Sequence, residues 1–199
     1  MTHIHQYEAL GFIMSKSYNL SQMGWTAFFQ QQLSLEQWEL LKPGRVVAQH
    51  RAHLEIMTET SLNFTLPINS HSSTLTVGDW LLVNEENQFV QALERFSLFS
   101  RKSAGSKVAL QLIAANVNTA FIVCSLDHNF NLSRIERYLA LVNSVGAEPV
   151  IVLTKADCCD DVATYVNQLR SLDAMLMIEA VDAREPMSIK NLETWCSVG

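Results

Sequence analysis

The tetrapeptide Thr154-Lys155-Ala156-Asp157 follows directly on the apolar run Val150-Ile151-Val152-Leu153. Ligands of parallel α/β sheets bind at the carboxyl ends of strands, which is where these residues fall if the run is a strand. An aspartate fixed there can accept two hydrogen bonds, from the ring N–H and the amino group of guanine's Watson–Crick edge. Adenine has an acceptor where guanine has its ring N–H, so a carboxylate facing adenine loses a charge-assisted bond of about 1.5–3 kcal/mol and meets repulsion. Lys155 can lay its methylene stem along the base or ribose while its ammonium stays in water. The competing reading is structural, with Thr154 or Asp157 capping the next helix.

Other reactive residue types fit simpler roles. His3 and His5 form an HxH that suits a solvated tail, and His50 and His53 bracket a strand turn as surface or core histidines, although contact with RNA would also use them. Cys124 sits inside an apolar strand pattern and reads as packing, while Asp127 and His128 follow that strand as a polar turn that could border a ligand. Cys124, Cys158, Cys159 and Cys196 form no C-x-x-C pair, so reduced thiols are expected. Arg95, Arg101, Lys102 and Lys107 make a stretch without acids that could meet RNA or serve only as a solvated linker.

The elements that must position these groups change character along the chain. Ser34-Leu35-Glu36-Gln37 has the form of a capping box, predicting a short helix from Leu35 that Lys42-Pro43-Gly44 ends, docked by Trp38 and Leu41. Apolar alternation then predicts strands at about 45–50, 53–58, 61–66, 79–84 and 88–94, with Leu54, Ile56, Leu62, Phe64 and Leu66 facing one way. Five short antiparallel strands suit a closed barrel, an OB-fold or else an SH3-like barrel. Beyond a basic linker, Thr119–Cys124 and Val150–Leu153 read as strands buried on both faces, with a helix between them capped by Asn131 and ended at Gly146. A helix at about 160–172 and a strand at Met175–Ile178 complete β-α-β-α-β, a parallel sheet. The expected division is an N-terminal extension at 1–40, an all-β domain at 41–98, a basic linker at 99–107 and an α/β domain at 108–199.

The 199 residues are 48% apolar and 17% charged, with seven Gly and four Pro, which excludes disordered and collagen-like classes. The net charge of −6 argues against bulk coating of nucleic acid. Residues 1–107 hold eight basic and nine acidic side chains, whereas 108–199 hold six and eleven, so the acidity lies in the second half. The apolar run at 108–126 is interrupted by Gln111, Asn116, Asn118 and Ser125 and reads as core, not as a membrane span. No basic region followed by an apolar stretch opens the sequence, so no membrane partner and a cytoplasmic location are expected.

From about residue 20 onward the chain resembles the first part of the ribosome-small-subunit-dependent GTPase A family, whose G domain is circularly permuted. The segments that carry the likeness, in order, are Gly44-Arg45-Val46-Val47, Val77-Gly78-Asp79-Trp80, Ser100-Arg101-Lys102, Ile113-Ala114-Ala115-Asn116-Val117, Ile135-Glu136-Arg137-Tyr138-Leu139 and Glu148 through Asp157. The resemblance implies an OB-fold that docks on the small ribosomal subunit and its RNA, then a GTP-binding and hydrolysing domain of the P-loop type. Thr154-Lys155-Ala156-Asp157 would be its base-recognition element, with Thr154 replacing the family's Asn. Glu179-Ala180 would supply the second guanine-contacting loop, with Ala180 offering a backbone N–H. No G-x-x-x-x-G-K-[ST] occurs among the 199 residues. The sequence is therefore expected to be a fragment that is inactive alone and has no catalytic residue or metal ligand of its own. Phosphate contacts, Mg²⁺ and a Zn²⁺ module are expected to lie beyond Gly199. The rival readings are a non-enzymatic OB-type RNA-binding module with a degenerate α/β appendage, or an α/β enzyme for another nucleotide, which no G-x-G-x-x-G supports.

Overall fold

The computed structural model describes residues 18–59, 64–70, 72–102 and 110–196. His3, His5, Leu62 and Lys107 lie outside the described residues.

The alternating segment forms a five-stranded antiparallel sheet of β1 (Lys42–Gln49), β2 (His53–Thr58), β3 (Phe64–Pro67), β4 (Trp80–Val83) and β5 (Phe89–Ala92), in the order β3-β2-β1-β4-β5. Val46, Leu54, Ile56, Leu66, Leu75, Leu81 and Val83 fill its inner face. Each such side chain gains about 1.5–3 kcal/mol on burial, and a slip by one residue would turn a strand's whole set outward, so the alternation fixes the register. The closed barrel expected from sequence is not completed by pairing among the described residues. Edge strands β3 and β5, four residues each, flank a groove lined by Thr65, Pro67, Gln88 and Val90.

β4 is buried along its full length because two layers cover it. Leu81 and Val83 face the inner core, whereas Trp80 and Leu82 face a cluster with Met23, Phe29 and Leu93, flanked by Trp25, Leu33 and Leu41. Trp25 meets Trp80 edge-on with ring centroids 4.8 Å apart. Residues 20–41 thus form an aromatic plug that includes the short helices α1 (Ala27–Gln30) and α2 (Leu35–Leu40). The capping box is present in full, with Gln37 N–H donating to Ser34 Oγ at 3.1 Å and Ser34 N–H to Gln37 Oε1 at 3.0 Å.

Residues 99–102, expected in a linker, form part of β6 (Leu98–Lys102), which pairs antiparallel with β7 (Leu110–Ala115). Arg101 and Lys102 hide this strand in the sequence, although Phe99 packs on the α/β core. The ribbon is pinned to the first sheet at Val77-Gly78-Asp79. Ala115 N–H donates to Val77 O at 2.8 Å, and Asn116 Nδ2 donates to Gly78 O at 3.0 Å. Gly78 has φ +91°, and a Cβ there would lie 2.0 Å from Ala115 O, so only glycine fits this junction.

The remaining elements are β8 (Thr119–Ser125), α3 (Leu132–Ser144), β9 (Glu148–Thr154), α4 (Val162–Arg170), β10 (Met177–Val181) and α5 (Pro186–Ile189). Their strands run parallel in the order β10-β9-β8. Asn131 caps α3 by accepting from Arg134 N–H at 2.9 Å, and Gly146, at φ +75°, follows its last turn. Ile135, Leu139 and Val142 of α3 and Leu169 of α4 bury one face, against Ile122 and Cys124 of β8 and Ile151 and Leu153 of β9. Among the described residues, the opposite face is covered at Val150, Val152 and Val181, by Leu192 and Trp195. Phe121 and Val123 therefore remain exposed, so β8 is not buried on both faces as its continuous apolar run had suggested.

Candidate functional site

The loops beyond the three parallel strands meet at one edge. β9 ends at Thr154, and Lys155 takes a left-handed conformation at φ +60°, uncommon outside glycine. This reversal aims its side chain at the loop after β8, where Nζ lies 2.7 Å from Asp127 Oδ2. Asp127 also accepts from Ser125 Oγ and Asn129 N–H, each at 2.8 Å. The Lys155 bond, then these two donors, hold the Asp127 carboxyl well below the ordinary carboxylate range, and Asp127 in turn pushes the Lys155 ammonium up.

Ala156 to Cys158 make one 3₁₀ turn that lifts Asp157 beyond the strand end. Its Oδ2 accepts from an Arg184 terminal nitrogen at 2.6 Å and from the Cys158 thiol at 3.0 Å. Among the described residues nothing donates to Oδ1. The hydrogen bond to Asp157 pushes the Cys158 thiol up. Arg184 is held in turn by Asp182, through Nε to Oδ1 at 3.1 Å, and that carboxyl is pulled down by the guanidinium. Asp157 does not cap α4, since Asp161 does so by accepting from Thr164 N–H at 3.1 Å. The structural reading of Asp157 therefore loses its main support.

Ala180 is the penultimate residue of β10. β10 runs to Val181, with Ala180 paired to Leu153 and Val181 to Thr154, so Ala180 lies within the sheet. The first residues past this strand, level with Lys155, are Asp182 and Ala183. The expected strand started too early because Asp173 Oδ1 holds Met175 N–H at 2.8 Å in a turn, delaying the strand to Met177.

The basic stretch also divides. Arg95 is a structural cation: its Nε and a terminal nitrogen donate to the two oxygens of Asp79, both at 2.6 Å, and it also donates to Thr74 O at 2.6 Å. Arg101 and Lys102 are exposed on β6, with Arg101 Nε donating to Gln111 Oε1 at 3.0 Å. Sequence reasoning did not find Arg184 or Asp182, and it left Asp127 as a turn residue. Their positions past apolar strands were the available signal, but Arg184 meets Asp157 27 residues away and Asp127 meets Lys155 28 residues away.

A curled antiparallel sheet joined through a β-ribbon to a parallel β-α-β-α-β unit, with charged loops at the carboxyl edge, defines a two-part β and α/β chain. The crystal structure of YjeQ from Thermotoga maritima shares this fold with a TM-score of 0.61, over 78% of this chain and 57% of that one at 20% identity. YloQ, described as a circularly permuted GTPase, superposes with a TM-score of 0.57 over 76% of this chain and 55% of its own, at 18% identity. In sequence, the chain is 53% identical over 189 residues to the small ribosomal subunit biogenesis GTPase RsgA 2 of Vibrio parahaemolyticus serotype O3:K6, covering 94% of this chain and 52% of the relative. It is 36% identical over 189 residues to the small ribosomal subunit biogenesis GTPase RsgA of Mesorhizobium japonicum, covering 94% and 54%. The RsgA GTPase family matches residues 92–197, and the chain belongs to that family. It spans about half the length of these curated relatives.

Proposed function

We propose that this chain is the ribosome-facing and base-recognising part of a GTPase for small ribosomal subunit maturation. The observation that carries the reading is Asp157. Its carboxylate stands past the end of the central parallel strand on a left-handed lysine, and one oxygen is open among the described residues. Guanine's ring N–H and amino group would donate to the two oxygens, with Arg184 giving up its place on Oδ2. Lys155, held by Asp127, would lay its stem along the base, and a backbone N–H from the end of β10 and the loop after it, Ala180 to Ala183, would meet the guanine carbonyl oxygen. Thr154 and Ala156 shape the turn.

The residues present fit a guanine base. They do not supply a phosphate loop or a cluster of Mg²⁺ ligands at this edge, so phosphate binding, Mg²⁺ and hydrolysis are assigned to other parts of the complete protein, as is any Zn²⁺ module. The 199-residue chain alone is expected to be inactive.

The five-stranded sheet fits a partly open OB-fold, which serves nucleic-acid binding in many settings. Arg101 and Lys102 on β6, with Lys107, form the proposed contact to small-subunit RNA. Among the described residues no helix is long and apolar enough to cross a membrane, and cytoplasmic residence fits a ribosomal role. The test uses a chain extended through a phosphate loop: GDP should displace a fluorescent guanine nucleotide far better than ADP. Equal displacement would overturn the reading. Replacing Arg101 and Lys102 with Gln should flatten the salt dependence of small-subunit RNA binding by up to about two units of slope.

A further inference from the structure

The outer face of the β1–β2 hairpin gathers two imidazoles and a carboxylate, none of them a residue of the guanine-facing edge. His50 and His53 flank the two-residue turn Arg51-Ala52, which is closed by His50 N–H donating to His53 O at 2.8 Å. Ile68 N–H donates to Ala52 O at 3.0 Å and pins the same turn from β3. Side chains alternate along a strand, so His53 and Glu55 share the outward face of β2, while Leu54 and Ile56 are buried beneath them. His50 stands across the turn with its ring stacked on His53, centroids 4.5 Å apart and planes 23° apart. His50 Nε2 lies 2.8 Å from Glu55 Oε1, and one ligand atom from each of the three residues falls within 4.8 Å of the others.

We infer that His50, His53 and Glu55 form a site for a borderline divalent cation such as Zn²⁺, Ni²⁺ or Co²⁺. Imidazole nitrogens select these ions over Mg²⁺ and Ca²⁺, which take oxygen ligands. In a tetrahedral zinc site with bonds of about 2.0–2.2 Å, ligand atoms sit roughly 3.3–3.5 Å apart. His50 Nε2 and Glu55 Oε1 stand 2.8 Å apart and all three ligand atoms lie within 4.8 Å of one another, so modest side-chain rotations would admit the ion. Two histidines and one carboxylate supply three ligands and leave a fourth position to solvent, on a hairpin whose backbone is already fixed. The site bears a single formal negative charge before binding, which suits a dication. It is independent of the guanine reading, since no residue is shared.

The experiment titrates Zn²⁺ and Co²⁺ calorimetrically into the full chain carrying H3A, H5A, H71A, H128A, C158S, C159S and C196S, which removes the other imidazoles and the exposed thiols. One ion per chain is expected, with Mg²⁺ unable to compete. Removing a group that merely orients a metal ligand typically costs 10–100-fold in affinity, so His53→Ala and Glu55→Gln, each removing a ligand, should weaken binding by at least about tenfold. All three side chains point outward, and circular dichroism verifies that each variant folds. Paramagnetic Co²⁺ should broaden the amide resonances of residues 50–55 before any others. Absence of binding in this background, binding indifferent to both substitutions, or broadening centred elsewhere would overturn the site.

Discussion

Asp79→Ala should destabilise the protein by about 3 kcal/mol, the lower end of the 3–5 kcal/mol typical when one partner of a buried ion pair is removed. Asp79 is 1% exposed, and its oxygens accept two bonds from Arg95 at 2.6 Å and the Thr76 N–H at 2.7 Å. Truncation leaves that N–H and a guanidinium without their acceptor. The Arg95 side chain is 24% exposed and can partly regain water, which places the cost at the low end. At about 2–4 °C per kcal/mol for a chain of this size, the melting temperature should fall by roughly 6–12 °C. Urea unfolding followed by fluorescence reads this directly, because Trp80 adjoins Asp79 in a buried cluster. Arg95→Met should cost a similar amount, and the double variant less than the two single costs added together. If Arg95→Gln left the urea midpoint unchanged while weakening RNA binding, Arg95 would be a nucleic-acid contact and the structural assignment would fail.

Gly78→Ala forces a left-handed alanine, costing about 1–2 kcal/mol before its Cβ displaces Ala115 O, so an unchanged urea midpoint would contradict the junction described here. Asp157→Asn should speed alkylation of Cys158 by iodoacetamide at pH 8, because the carboxylate that pushes this thiol up is gone; peptide mapping should show no such gain at Cys196. Asp127 is depressed in the folded state, chiefly by Lys155, so its contribution to stability is complete above the ordinary carboxylate value of about 4 and is lost as pH falls through its lower folded value. Urea midpoints measured from pH 7 to pH 2 should therefore show a shallower acid limb below about pH 4 in Asp127→Asn, with no change in the pH 5–7 slope.

Elements with one dominant local signal were legible in the sequence. The Ser34 capping box, the Asn131 cap of α3 and the continuous apolar core of β9 each specify their structure through neighbours a few residues away. β6 was hidden because Arg101 and Lys102 look like a charged linker until β7 arrives to pair with them. The aromatic plug has no long period because its residues converge on Trp80 from several very short helices and the turns between them. The Asp157 position was legible from the strand that precedes it, whereas Arg184 and Asp127 join the site only through the parallel register of β10, β9 and β8. The expected strand at Met175–Ile178 is displaced by a few residues because the turn at Asp173 delays β10 to Met177.

The central claim is that Asp157 reads a guanine base. It is tested most directly by competing GTP and XTP against a fluorescent guanine nucleotide on a chain extended through a phosphate loop, wild type beside Asp157→Asn. Xanthine carries a carbonyl where guanine carries its amino group, and an Asn amide can donate to that carbonyl while keeping the shape of the side chain. With each charge-assisted bond worth about 1.5–3 kcal/mol, the preference should shift toward XTP by at least about tenfold. Equal GTP affinity in the two proteins, with no gain for XTP, would show that Asp157 serves only its contacts with Arg184 and Cys158.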